Sequence, residues 1–145
     1  MSLDCGINLE VIWFDQDIVE VLFTCSNGYF AGGAEIYLSH DDLPSLVEAL
    51  RGFPSDGADT RLCEFGTFNP ANAAGGVRMN FYCSDSAGHA IVEVKLRGDG
   101  CKALGEVESV ALRIAVEPAG VDAFLAELAA MPIAFGARAS LPMAK

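Results

Sequence analysis

Residues 77–97 read VRMNFYCSDSAGHAIVEVKLR. Val77, Met79, Phe81 and Cys83 alternate with Arg78, Asn80, Tyr82 and Ser84. A period of two is the mark of a strand with one buried and one wet face. Asp85–Gly88 then supplies a turn, and His89–Arg97 alternates again, with Ala90, Val92, Val94 and Leu96 inward and Glu93, Lys95 and Arg97 outward. Two such runs about a short Ser/Asp/Gly turn predict a β-hairpin. Beyond the loop Gly98–Gly105, Val107–Val116 repeats the pattern, with Val110, Leu112, Ile114 and Val116 inward and Ser109, Ala111, Arg113 and Ala115 outward. These three strands form an antiparallel meander with one solvated face.

The pattern changes on the C-terminal side. Pro118 stands at a first-turn position, and Val121, Phe124, Leu125 and Leu128 recur at helical spacing up to Pro132. Residues 133–145 show no period and are expected to be a loosely held tail. On the N-terminal side, Ile7–Phe14 and Ile18–Cys25 flank Asp15-Gln16-Asp17 as a hairpin. Asn27-Gly28 turns the chain into a third strand, Tyr29–Leu38, in which Gly32-Gly33 predicts a bulge or bend. Asp41 is the expected N-cap of a helix, because it places Pro44 at the third helical position, where the missing N–H breaks no intrahelical bond. Leu43, Leu46, Val47, Leu50 and Phe53 line its buried face, and Pro54 ends it. Burial contributes roughly 1.5–3 kcal/mol for each such side chain before entropy, which assigns them to the core. Arg61–Phe65 is a short further strand before the loop Asn69–Gly76.

The order β-β-β-α-β-β-β-β-α predicts an α+β fold. The expected architecture is one antiparallel sheet of six to seven strands with two helices mainly on one face. Residues 1–132 form the domain and 133–145 the tail. At 145 residues the chain has the commonest size for one domain and needs no disulfide or metal staple.

Charge is distributed unevenly. Residues 1–64 hold twelve acids against Arg51 and Arg61, a net of −10, while residues 65–145 hold eight acids against seven bases. An acidic half disfavours nucleic acid and anionic membrane as partners and favours a basic protein. The cluster to test is Asp15, Asp17, Glu20, Glu35, Asp41 and Asp42. The first hairpin is also unusual in being apolar on both faces. Ile12, Phe14, Ile18 and Leu22 lie opposite Val11, Trp13, Val19, Val21 and Phe23. Such strands want cover on both sides. The cover is the tail, a second copy in a homodimer through the N-terminal hairpin, or a partner.

Each common catalytic constellation fails on spacing. Asp85, Ser86 and His89 are triad residue types, but all three crowd into one hairpin turn without a nucleophile elbow. His40 and His89 have no His or Cys at metal-ligand spacing, and Asp15/Asp17 and Asp41/Asp42 lie in no calcium loop. Cys5, Cys25, Cys63, Cys83 and Cys101 are odd in number and form no Cys-x-x-Cys pair, which fits a reducing, cytoplasmic setting. Cys25 and Cys83 read as small core residues; Cys5, Cys63 and Cys101 read as candidates for exposure. Gly32-Gly33 and Gly75-Gly76 do not open a phosphate-binding loop, so no cofactor is expected. There is no signal-peptide pattern and no apolar run near the length of about 18 residues that a membrane helix needs. Trp13 and the strand aromatics are candidates for a ligand pocket, with core packing the simpler role.

Over residues 10–130 the chain resembles small bacterial domains of unknown function, among them immunity proteins of polymorphic toxin systems of the WapI-inhibitor type. The resemblance rests on Asp42-Leu43 opening a helix that ends at Leu50 and Phe53-Pro54, and on Phe65-Gly66 leading to an alternating strand. It continues through the hairpin from Asp85 to Gly88-His89 and the passage of Val116-Glu117 into a helix with Phe124 and Leu128. It implies a small cytosolic protein that binds and blocks a cognate toxin, and it carries over no catalytic residue. The expected function is therefore a non-enzymatic protein-binding module, an immunity-type inhibitor of a basic toxin. The alternative is a small-molecule-binding domain with an apolar pocket between sheet and helices.

Overall fold

A computed structural model describes residues 4–69, 74–98 and 107–145. Cys101, half of the loop 69–76 and nearly all of the loop 98–105 lie outside the described residues. Among the described residues there are eight strands and two helices: β1 Gly6–Phe14, β2 Ile18–Ser26, β3 Ala31–Ser39, α1 Asp42–Leu50, β4 Thr60–Gly66, β5 Gly76–Cys83, β6 Ala90–Arg97, β7 Ser109–Val116, α2 Pro118–Ala130 and β8 Arg138–Pro142. The α+β class holds, but the single sheet does not. The strands form two antiparallel sheets of four, ordered β3-β2-β1-β8 and β4-β5-β6-β7. Alternation tells each strand which face to bury; it does not say which strands share hydrogen bonds. Two one-sided sheets satisfy the same pattern by pooling their apolar faces into one core.

That core runs through both sheets and both helices, with Phe23, Ile36, Phe81, Val94, Ile114 and Phe124 fully buried. The helices do not coat one face of one sheet. α1 touches β3 of the first sheet and β4 of the second, and α2 touches α1 and β8. Asp41 is the residue before α1, but its side chain makes no capping bond; the Asp42 carboxylate instead accepts the Ser39 N–H at 2.8 Å.

Four local expectations change. Gly32-Gly33 makes no bulge, because β2 and β3 pair without a break from Ile18↔Ser39 to Ser26↔Ala31. Gly32 and Gly75 serve close approach of the sheets: a Cβ on Gly75 would lie 2.5 Å from the Glu35 carbonyl oxygen, and one on Gly32 would lie 2.6 Å from Val110 Cγ1. The bulge is in β1. There Val11 faces Val21 and Trp13 faces Glu20, leaving Ile12 as the extra residue. Arg97 is buried rather than outward. Its guanidinium donates to the carbonyls of Thr67 and Ala74, which cap that end of the sheet. Finally, the tail contains β8, which pairs with β1 from Gly6↔Pro142 to Glu10↔Arg138. Its Ala139 and Leu141 are fully buried.

Candidate functional site

The outer face of the β3-β2-β1-β8 sheet carries the features that the core does not explain. Its inner face is uniformly apolar: Ile7, Leu9, Val11, Val19, Val21, Phe23, Ile36 and Leu38 are buried. Facing outward in register are Thr24 with Asn8 and Ser140, then Glu35 with Leu22, Glu10 and Arg138. The next row is Tyr37, Glu20 and Trp13. Ile18 follows at the end of the sheet, opposite Ser39.

The β1 bulge is what makes this face. A bulge advances the chain by one residue against its partner, so every side chain after it changes sides. Val11 points into the core opposite Val21; Trp13, two residues on, points outward opposite Glu20. Core packing was the simpler role expected of Trp13, which is instead 43% exposed. Phe14 then returns towards the core opposite Val19, and its ring packs 5.0 Å from that of Phe135. Ile12, Phe14 and Leu22 are only half-buried, while Ile18 is 40% and Tyr37 51% exposed. The second face of the hairpin thus lies open over Trp13 and Ile18 rather than covered within the chain.

The six acids singled out from sequence fall on this surface and its rim. Glu20 and Glu35 stand on the face itself. Asp15 and Asp17 form the β1–β2 turn at one end, where Asp15 Oδ1 accepts the N–H groups of Asp17 at 2.8 Å and Ile18 at 2.7 Å. These two backbone bonds hold the Asp15 carboxyl below its ordinary value. Asp41 and Asp42 stand at the β3–α1 junction at the same end, and His40 Nε2 donates to the Asp15 carbonyl at 2.8 Å, tying the junction to the turn. The face also holds Glu10, which accepts from Arg138 Nε at 2.6 Å. Three glutamates therefore share the face with one arginine.

The other candidates resolve into structure. His89 Nδ1 lies 2.6 Å from Asp85 Oδ2 in the exposed turn, and Ser84 Oγ donates to the His89 carbonyl oxygen rather than meeting the ring. Cys25 and Cys63 are buried, and burial pushes both thiols up to about 11, away from nucleophilic chemistry. Cys63 was expected among the exposed candidates; it occupies an inward position of β4 opposite Met79. Cys83 is half-buried against the core and Cys5 is exposed. Among the described residues no three His, Cys, Asp or Glu side chains gather as a metal site, and no helix is long and apolar enough to cross a membrane. An apolar groove of about 330 Å³ does exist, but it lies between the two helices, lined by Leu43, Val47, Leu128, Met131 and Ile133 with Glu48 and Arg51 at its rim.

Tyr37 faces outward between buried Ile36 and Leu38, an orientation the sequence reading left unassigned. The outward turn of Trp13 was not legible either, because a bulge leaves no mark in an alternating apolar run. Compared with protein-family models, characterised proteins and solved structures, the chain matches none.

Proposed function

We propose that this chain is a non-enzymatic protein-binding module that docks a basic protein on the outer face of the β3-β2-β1-β8 sheet. Its specific form is an immunity-type inhibitor of a basic toxin, acting in the cytoplasm, as the resemblance to WapI-type immunity proteins implies. The observation that supports the reading is one open sheet face combining exposed Trp13, Ile18 and Tyr37 with Glu20 and Glu35. Tryptophan and tyrosine anchor protein interfaces out of proportion to their number. Carboxylates around them steer a basic partner, raising association rates by roughly 10- to 1000-fold. A homodimer through the same hairpin is disfavoured, since two copies would press like-charged faces together.

The test is affinity capture with the tagged chain at low and high salt, repeated with Trp13→Ala, with Glu20→Lys/Glu35→Lys, and with Arg78→Glu on the other sheet. A basic partner lost with the first two variants and kept by the third is the expected result. A partner retained by both face variants would sink the reading.

A second reading rests on the groove between α1 and α2, whose apolar lining and volume suit a small molecule. A ligand present at 100 times its dissociation constant adds about 2.7 kcal/mol of stability, which a thermal-shift screen detects.

A further inference from the structure

We propose that β7 is a strand-addition edge for a second copy of this chain, held shut in the intact molecule by Asn27 and by the backbone of Ala144. β7 ends the β4-β5-β6-β7 sheet, and among the described residues β6 is the only strand that pairs with it. Two bonds show which of its peptide groups point away from β6. The Arg113 carbonyl accepts from Asn27 Nδ2 at 3.1 Å, and the Ala115 carbonyl accepts from the Ala144 N–H at 2.7 Å. In an antiparallel ladder each residue sends its N–H and C=O to one side, and the side alternates along the strand. Glu108 obeys the alternation, since its carbonyl accepts the Gly98 N–H on the β6 side at 2.9 Å. The register with β6 is unbroken, so Ser109, Ala111, Arg113 and Ala115 share the open edge. Such an edge is a template for another strand unless something blocks it.

Both blocks come from the other sheet. Asn27 stands in the β2–β3 turn, where its Oδ1 accepts the N–H groups of Tyr29 at 3.0 Å and Phe30 at 2.8 Å; this fixes the amide and leaves its nitrogen for β7. Ala144 follows β8, and next to it the Met143 N–H donates to the Cys5 carbonyl at 3.2 Å, which holds the tail in place. The occupant follows from the strand. Residues 109–116 read SVALRIAV, rich in β-formers, with one charge and neither proline nor glycine, the composition of segments that pair with copies of themselves. Charge bars self-association through the acidic first sheet, but residues 65–145 hold eight acids against seven bases. Laid antiparallel about a two-fold axis at Leu112, Arg113 faces Ala111 of the second copy and Ser109 faces Ala115, so no like charges meet. Arg113 is neutralised besides by Glu93, which accepts from its Nε at 3.0 Å. The two four-stranded sheets then join into one of eight strands.

The test is self-association of the full chain, measured by light scattering and sedimentation over a range of concentrations. Asn27→Ser keeps a turn acceptor but is too short to reach β7, and Ala144→Pro removes the N–H. The intact chain is expected to be monomeric, and each change to strengthen dimerisation on the order of tenfold, the two together giving a dimer. Ala111→Pro deletes an edge N–H that β6 does not use, so added to the double variant it should restore the monomer. Circular dichroism checks that each variant is folded. A folded double variant that stays monomeric overturns the proposal. So does a dimer that survives Ala111→Pro, or an intact chain that is dimeric already, since its blocks then guard nothing. If the double variant does not fold, Asn27→Ser decides alone: a folded monomer at every concentration refutes the edge. Trp13→Ala should leave each result unchanged, because the docking face lies on the other sheet. A dimer lost with Trp13→Ala uses that face instead and also overturns the proposal.

Discussion

Replacing Leu141 with alanine tests the largest difference between an aperiodic tail and a sheet strand. Leu141 is fully buried on β8, opposite Ile7 of β1, and its Cδ1 lies 3.6 Å from where a side chain on Gly120 of α2 would begin. The site is walled by a strand and a helix and cannot collapse cheaply. Leucine-to-alanine changes in such cores cost about 2–5 kcal/mol, the lost transfer free energy plus the cavity. A value near 3 kcal/mol is a large share of the roughly 5–15 kcal/mol by which a domain is stable. For a chain of this size it lowers the melting temperature by about 6–12 °C. Urea unfolding, followed by circular dichroism and by Trp13 emission, measures it, with exposed Lys145→Ala as the control. Ending the chain after Gly136 removes β8 entirely and is expected to cost more than the point change. A Leu141→Ala variant within about 0.5 kcal/mol of the parent, with an unchanged unfolding slope, would refute the placement of β8 in the core.

Three further outcomes are expected. Gly75→Ala puts a methyl 2.5 Å from the Glu35 carbonyl oxygen, a backbone atom that moves only if β3 lifts from the second sheet; overpacking of this kind costs about 1–3 kcal/mol in urea unfolding. Cys25 and Cys63, with thiols near 11, should resist alkylation at pH 8 in the folded protein while exposed Cys5 reacts, as mass spectrometry of the labelled peptides will show. The bond to Asp85, then its charge, raises the pKa of His89, and the same bond lowers that of Asp85. The pair's contribution to stability is therefore full between pH 3.8 and 6.5, the two ordinary values, and fades as pH falls through the lowered Asp85 value or rises through the raised His89 value. Asp85→Asn should return the His89 titration to its ordinary value by NMR; an unmoved titration would contradict the contact.

Most elements were legible because each is a local pattern. The spacing of Val121, Phe124, Leu125 and Leu128 predicts α2, and all four are its buried residues. The inward residues of β6 likewise follow from a period of two, and Ala90, Val92, Val94 and Leu96 are buried. The candidate site was half legible. The six acids could be named from charge density alone, but nothing local showed that Glu20 and Glu35 share a face with Trp13 and Tyr37. Arg97 was misread for a related reason: its strand position is outward, and it is buried while bonded to Thr67 and Ala74 from elsewhere in the chain.

The sequence by itself determined the α+β class, seven of the eight strands, both helices, which side of nearly every strand is apolar, and where the negative charge lies. Those properties depend on neighbours within one or two turns of chain. Tertiary structure alone decided that the strands split into two sheets, that residues 138–142 close one of them, and that Trp13 faces outward. Each of these depends on hydrogen bonds between distant segments. A short edge strand is stable only beside the strand it pairs with, and a bulge exists only relative to its partner's register.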